Sequence, residues 1–521
     1  MMNRLRLWPV AFSLVSALLL WGAYPGGGEI WPLLMVALVP LFFSLSRVSG
    51  REALVCGFFT GTVHYLLQLY WIVIVLGRYG GLPVYIAVPA LVLLAGYMAL
   101  YVAGFALCGR LLLRHGAPLA ALLGIPALWV GADWLRGWLF TGFPWMDIGY
   151  ALGNVPQLIQ TAELFGHGGV SFLLVLVNTF VVLALNRRHA LQTLAIPVLT
   201  VLVICGVAAF YSNWRWQAVS ADIADPQRKS MTVGIVQGNI DQSVKWSPAN
   251  QQQTVSTYLN YSTALFGETH PDLLVWPETA LPFYPQTYPD TVVLYGLVTQ
   301  NDTALLTGAP WFEVVDQNTK DIRYYNSAQL IEPENGFIAS YYKSHLVPFG
   351  EYVPLKKLLP FLAPLVEAVG DFSAGRVEKP LVRHEGKIGV LICFESIFPD
   401  LAREWSKNDA NMLVNLTNDA WYGKSSAPYH SMAMTVFRAV ENRRSVVRAA
   451  NTGISGFIDP LGVIHHPSPI FTTWSAAREI VLMDGQTIFV RWGYLFPIVS
   501  LVVGLLFSLS ALATKRRAIN G

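Results

Sequence analysis

Charge is what this sequence has least of. Of its 521 residues only 13% are Asp, Glu, Lys or Arg, while 54% are hydrophobic, and the mean hydropathy is +0.45. A soluble domain carries about a quarter of its residues as charge, so half that share argues for a chain that lives largely in a membrane. The formal net charge of +3 is too small and too scattered to make a nucleic-acid surface, and no such partner is expected. Cysteine is scarce as well. The four, at 56, 108, 205 and 393, include no CxxC pair, which excludes a disulfide framework and a thiolate metal cluster. Ten histidines without HExxH or paired spacing supply no metal site. No GxGxxG or Walker A string supports a nucleotide, so no cofactor is expected. Internal repeats are missing too.

Long apolar stretches are abundant instead. They run over about 7–24, 30–45, 53–77, 83–109, 117–132, 168–186, 190–212 and 492–514. Most can cross the hydrocarbon layer as helices, which takes about 20 residues, so about eight transmembrane helices are expected, with 117–132 the shortest. The first stretch alone could pass for a signal peptide, but the stretches after it make it the first of several spans. Basic residues set the orientation. Arg4 and Arg6, Arg47 and Arg51, Arg110 and Arg114, Arg187 and Arg188, and Lys515 to Arg517 fall in one set of connections. The alternate set holds mainly Arg78 and Arg136. This bias places both termini in the cytoplasm and the long region after Tyr211 outside it. The connection from Asp133 to His167 alternates aromatics and glycines with Arg136 and Asp147. It reads as an interfacial or re-entrant segment at a lipid-side entrance, or else as a loop that anchors its neighbours.

Composition changes near residue 213. Three domains are expected: transmembrane helices over 1–212, a globular domain over 230–489, and a last span over 492–514. Within the globular part, MTVGIVQ (231–237), DLLVWP (272–277), ALLTGA (304–309), SAQLI (327–331), KIGVLIC (387–393), NMLVNL (411–416), SVVRAA (445–450) and SGFIDP (455–460) read as strands. Stretches 248–265, 397–407 and 427–442 read as helices, which together imply a layered α/β domain. Three reactive residues end strand-like runs or open the loops after them: Glu278 in LLVWPETA, Lys343 in SYYKSHLVPFGEYVP and Cys393 in GVLICFESIFPD. Sheets of this kind build their sites there. A thiol becomes a strong nucleophile once a nearby carboxylate takes its proton, and a lysine can hold the oxyanion that forms on an attacked carbonyl. The other three cysteines lie in apolar stretches, as packing residues do. Cys393 is the single cysteine of the globular part, either inert core or retained for reactivity.

The Glu-Lys-Cys boxes, together with NLTNDAWYG (415–423) and RAVENRRSVVRAANTGISGFIDPLG (438–462), resemble those of the nitrilase, or carbon–nitrogen hydrolase, superfamily over roughly residues 231–485. That resemblance implies an α-β-β-α sandwich. Apolar spans around such a domain, with QGNIDQSVKW (237–246), VWPETA and KSHLVPFGEYVP, further resemble the apolipoprotein N-acyltransferase family. By that resemblance Glu278 is the general base, Lys343 the oxyanion holder and Cys393 the nucleophile. Glu351 is implied as the second acidic residue, and Glu395 and Trp246 as supports. The tyrosine often found after the nucleophile is Phe394 here. The implied partners are a phospholipid acyl donor, an apolipoprotein acceptor bearing S-diacylglyceryl-cysteine, and the bilayer of a bacterial inner membrane, with the catalytic domain periplasmic and the protein monomeric. The run 353–370 is apolar enough to dip into the interface. The rivals are a membrane-anchored nitrilase-type amidase, in which water takes the second step, and a transporter or structural protein with a degenerate outer domain. The scarcity of ionisable residues in most spans argues against transport.

Overall fold

The computed structural model describes residues 7–186, 191–243, 245–288, 291–316, 321–352 and 372–520. It divides into two compact units. One comprises the chain up to Ala218 with Lys424–Phe437 and the chain from Trp492 on; the other comprises Val219–Gly423 and Arg438–Arg491. The apolar run 353–370 lies outside the described residues.

The first unit is helical. Its elements are α1 (Leu7–Ala23), a 3-10 turn leading to α2 (Val39–Leu45), α3 (Gly50–Leu69), α4 (Trp71–Ile74), α5 (Val84–His115), α6 (Pro118–Trp138), α7 (Ala162–Asn186), most of α8 (Ala195–Ile223), and the last helix, α14 (Leu495–Asn520). Among the described residues, α5 to α8 and α14 are each long and apolar enough to cross a membrane. The α3–α4 pair, bent by 49°, makes a sixth if it is one span, and Leu7–Ala23 and Trp31–Leu45 are shorter apolar helices. The eight apolar stretches are all helical, then, but five or six of them meet the length of a crossing.

Sequence explains the helix ends and the packing. Ser49 and Glu52 cap α3 reciprocally: the Ser49 hydroxyl accepts from the Glu52 N–H, and the Glu52 carboxylate accepts from the Ser49 N–H at 2.7 Å. α3 then lies close along α5 because Gly57 and Gly61 carry no side chain. A Cβ on Gly57 would stand 2.6 Å from that of Ala106, and one on Gly61 2.9 Å from the Ala99 Cα. Small residues replace the hydrophobic effect as the basis of such contacts in lipid.

The span expected at 117–132 is longer than its apolar core. α6 runs on through Asp133 and Arg136 to Trp138, and those charges are paired inside the unit. Arg136 donates to the Phe143 carbonyl at 2.7 Å and pairs with Asp133 and Asp147, while His167 meets Asp147 at 2.8 Å. The aromatic segment after it is mostly packed. Trp145, Met146, Ile148, Tyr150 and Leu152 are buried, and the Trp145 indole donates to His430 at 3.2 Å. Trp138 and Phe140 at its start are exposed. The segment is thus packed along most of its length and exposed at its start.

The second unit holds two six-stranded sheets. In chain order its elements are β1 (Ser230–Gln237), α9 (Pro248–Phe266), β2 (Leu273–Val275), α10 (Val292–Asn301), β3 (Ala304–Asp316), β4 (Asp321–Glu332), β5 (Gly336–Tyr342), β6 (Leu381–Arg383) and β7 (Gly386–Ile392). There follow α11 (Pro399–Lys407), β8 (Met412–Thr417), β9 (Ser445–Ala450), β10 (Gly456–Ile458), β11 (Ile464–His465), β12 (Trp474–Val481) and α13 (Ile488–Trp492), while α12 (Ala427–Asn442) belongs to the first unit up to Phe437 and to this one from Arg438. The strand orders are β12-β1-β2-β3-β4-β5 and β11-β10-β9-β8-β7-β6. Each sheet has three parallel strands, β1 to β3 and β7 to β9, flanked by antiparallel ones. β8 and β9 are buried along their whole length, which is why they read as largely apolar runs, broken only by polar residues that are themselves buried, such as Asn415 and Arg448. α9 seats Tyr258 on Trp276, with ring centroids 5.1 Å apart, and the Trp276 indole donates to Ser262 at 3.0 Å. That packing fixes the chain just before Glu278.

Candidate active site

Three turns at strand ends carry the reactive groups. Glu278 follows β2 on a turn closed by the Ala280 N–H donating to the Pro277 carbonyl, Lys343 follows β5, and Cys393 follows β7 directly. Each turn is held tightly. Thr279 has φ +46 and Cys393 φ +51, left-handed conformations that strain non-glycine residues and persist where the surroundings enforce them. The Glu278 turn lies on β3 at Gly308, where a Cβ would come 2.4 Å from the Thr279 nitrogen and 2.6 Å from the Glu278 Cα. Only a residue without a side chain allows that approach. The Lys343 N–H donates to the Asn326 carbonyl of β4 at 2.9 Å, so the lysine is placed by sheet pairing.

The charged groups converge. Lys343 Nζ lies 2.9 Å from Glu351 Oε1 and 3.9 Å from Glu278 Oε1, and all three residues are buried. Asn326 joins the two acids: its Nδ2 donates to Glu278 Oε1 and to Glu351 Oε1, each at 2.8 Å. Glu351 Oε2 accepts from the Val347 N–H at 2.8 Å. Glu278 Oε2 is left without a hydrogen-bond partner among the described residues. One oxygen of this carboxylate is held and the other is free to take a proton. Burial alone would lower the Lys343 pKa, but Glu351, then Glu278, Cys393 and Glu395, raise it above its ordinary value, so the ammonium persists at neutral pH.

Cys393 is partly exposed as a residue, yet its thiol is enclosed. Burial, and after it Glu278, push its pKa up to about 12, against the downward pull of Lys343 and a hydrogen bond with Thr417. The resting sulfur is therefore a neutral thiol that needs a base at the moment of attack. This sets a pH signature. Alkylation of Cys393 by iodoacetamide, followed by peptide mapping, should keep accelerating past pH 10. An unperturbed thiol would level off near 9, because the thiolate fraction rises until pH passes the pKa. A plateau near pH 9 would contradict the enclosed thiol.

Glu395, two residues on, does not touch the lysine. Its Oε1 accepts from the N–H groups of Ser344 and His345, at 2.7 and 3.0 Å, and from the Tyr341 and Ser344 hydroxyls; its Oε2 accepts from the Ile392 N–H at 2.7 Å. The carboxylate thus ties the turn after Lys343 to the turn bearing Cys393. Trp246 is not brought in: it is 47% exposed and makes no hydrogen bond to the group among the described residues. The residue before it is the surprise. Lys245 is fully buried, donating to the Glu278 carbonyl at 3.2 Å and to the Thr279 hydroxyl at 2.8 Å. Asn326, Lys245 and Thr417 all escaped the sequence reading. Asn326 sits one residue before the run SAQLI, and a polar residue beside an apolar run was the available signal.

Among the described residues no group of three or more His, Cys, Asp or Glu side chains has an arrangement that could hold a metal ion. What converges is an acid with a free oxygen, an ammonium and a thiol, a set suited to covalent acyl transfer.

The likeness to known proteins follows the whole chain. Residues 16–180 match the family model described as the apolipoprotein N-acyltransferase N-terminal domain, and residues 232–475 match that of carbon–nitrogen hydrolases. An apolipoprotein N-acyltransferase from Geobacter metallireducens is 39% identical over 511 residues, covering 98% of this chain and 96% of that protein. One from Pseudomonas putida is 32% identical over 471 residues and covers 89% of each. Among solved structures, Saccharomyces cerevisiae Nit3, of the nitrilase superfamily, is 19% identical, with a TM-score of 0.38 over 51% of this chain and 94% of that one. Family models at both ends of the chain and relatives spanning nearly all of it lead to one conclusion: the chain belongs to the apolipoprotein N-acyltransferase family, N-acyltransferase enzymes of the nitrilase superfamily.

Proposed function

We propose that this enzyme moves a fatty acyl chain from a membrane phospholipid, through a thioester on Cys393, to the N-terminal amine of an S-diacylglyceryl-cysteine apolipoprotein. The observation that carries the reading is the divided environment of Glu278. One carboxylate oxygen is fixed by Asn326, and the other is free beside an ammonium and a thiol.

In the first step Glu278 Oε2 takes the thiol proton as the Cys393 sulfur attacks the ester carbonyl, with the sn-1 chain of phosphatidylethanolamine as the donor. Lys343 stabilises the oxyanion. Its collapse breaks the carbon–oxygen bond, and Glu278 returns the proton to the departing lysophospholipid oxygen. In the second step Glu278 takes a proton from the incoming amine, the amine nitrogen attacks the thioester, and the carbon–sulfur bond breaks. An amide forms and the thiol recovers its proton. Glu351 and Asn326 hold Lys343 and Glu278 at working distance, and Glu395 keeps the lysine and cysteine turns together. These roles assign Glu278, Lys343 and Cys393 to the chemistry and Glu351 and Glu395 to its support.

The setting follows from charge bias and apolar helices. Both termini are cytoplasmic, residues 230–489 form a periplasmic domain with the two sheets as the inner layers of an α-β-β-α sandwich, and helices over 1–212 and 492–514 anchor it in the inner membrane. Donor and acceptor are both lipids of one leaflet, which lowers the cost of their encounter. The test is transfer itself. Purified enzyme given phosphatidylethanolamine and a diacylglyceryl-cysteine peptide should yield N-acylated peptide, and Glu278→Gln should yield almost none. Release of free fatty acid with an unmodified peptide would replace this reading with a hydrolase.

A further inference from the structure

A lysine with no exposed surface is rare unless it is paired with an acid, since removing an ammonium from water is strongly unfavourable. Lys245 is such a residue, and its two hydrogen-bond partners are uncharged: the Glu278 carbonyl at 3.2 Å and the Thr279 hydroxyl at 2.8 Å. A methionine would fill the same space without that penalty, so packing does not account for the residue. Its position does. Lys245 holds the strained turn that carries the base, and the titratable groups acting on it are Glu278, on the turn after β2, and Cys393, on the turn after β7.

Charge balance gives the reason. Lys343 faces two carboxylates, Glu351 at 2.9 Å and Glu278 at 3.9 Å, which leaves one negative charge in excess beside the sulfur. Glu395 is satisfied separately by its own donors. An excess negative charge opposes a thiolate and an oxyanion alike. A second ammonium at Lys245 cancels it.

We propose that Lys245 is a positioning residue of the acyl-transfer site, a second buried cation that clamps the Glu278 turn and offsets the site's surplus carboxylate. Burial lowers its pKa to about 8, against the pull of Glu278 and Cys393, so the charge is present at neutral pH and lost in mild alkali. This inference rests on the acyl-transfer reading for its purpose, but its electrostatic core concerns the Cys393 thiol alone and is measured without a lipid.

The experiment compares the full-length wild type with Lys245→Met and Lys245→Arg, each checked for thermal stability in detergent. It reads the rate of Cys393 alkylation by iodoacetamide from pH 6.5 to 10, with acyl-enzyme formation alongside. Lys245→Met should alkylate roughly tenfold more slowly than wild type at pH 7, a displacement of about one pKa unit, and the two rates should converge above pH 9 as the wild-type lysine loses its proton. Lys245→Arg should match wild type at pH 7 and exceed it above pH 9, since the guanidinium keeps its charge. A ratio that does not change with pH, equal rates at pH 7, or loss of the fold in both variants would overturn the proposal and leave Lys245 a structural brace. If the alkylation pattern holds but the wild type forms no acyl-enzyme, the acyl-transfer reading fails and the assignment of Lys245 as the second cation stands.

Discussion

Lys343→Met should be the most damaging single substitution in the site, abolishing acyl-enzyme formation and destabilising the domain together. The ammonium lies against Glu351 and Glu278, and Asn326 ties both acids to one amide. Its removal leaves two buried carboxylates facing each other across a neutral side chain. Breaking a buried pair from one side costs about 3–5 kcal/mol. Loss of an oxyanion donor adds a rate reduction of about 10²–10³. Thermal unfolding of the sheet domain, followed with a single-turnover acylation assay, separates the two effects. Lys343→Arg should restore part of the stability and little of the rate, because the planar guanidinium cannot occupy the same point between two acids. A Lys343→Met variant with wild-type acylation would remove the lysine from the mechanism.

Gly308→Ala should reduce acylation by about a hundredfold, although residue 308 has no functional group. The added methyl would meet the backbone of Glu278 and Thr279 at 2.6 and 2.4 Å, where no flexible side chain can move aside. The turn must shift, and Glu278 Oε2 shifts with it. A displacement of about 1 Å in a catalytic group costs about two orders of magnitude in rate. The substitution discriminates because the helical unit and the second sheet are far from it in sequence and should fold unchanged. Acylation by Gly308→Ala within a factor of a few of wild type would show that the Glu278 turn tolerates displacement.

Much of this was readable in the sequence because the core strands of parallel sheets are mostly apolar runs. β1, β7, β8 and β9 fall where MTVGIVQ, KIGVLIC, NMLVNL and SVVRAA announce them, and α9, α11 and α12 begin at or near the predicted starts. β5 and β12 were not readable. GFIASYY and WSAAREIV are the edge strands of the first sheet, half-buried and interrupted by polar residues. The end of α6 was misplaced for a related reason. Arg136 and Asp133 look like the end of a span, yet the Phe143 carbonyl and Asp147, 7 and 11 residues further on, hold the arginine inside the unit.

The site shows the same asymmetry. Glu278 and Cys393 stand out as reactive residues at the ends of strand-like runs, and Lys343 as a charged residue opening the loop after one. Lys245 carries no such marker, and Asn326, although it precedes the run SAQLI, reads as solvated until the fold buries it. Trp246 is a support by family resemblance, and the side chain turned inward is its neighbour's.

The central claim is the acyl-thioester, and intact-mass spectrometry of the full-length enzyme incubated with phosphatidylethanolamine tests it most directly. Wild type should gain the mass of one acyl chain, Cys393→Ala should gain none, and a diacylglyceryl-cysteine peptide should discharge the adduct as it becomes N-acylated. An unshifted wild-type mass with phospholipid demonstrably in reach, or an equal gain on Cys393→Ala, would contradict it.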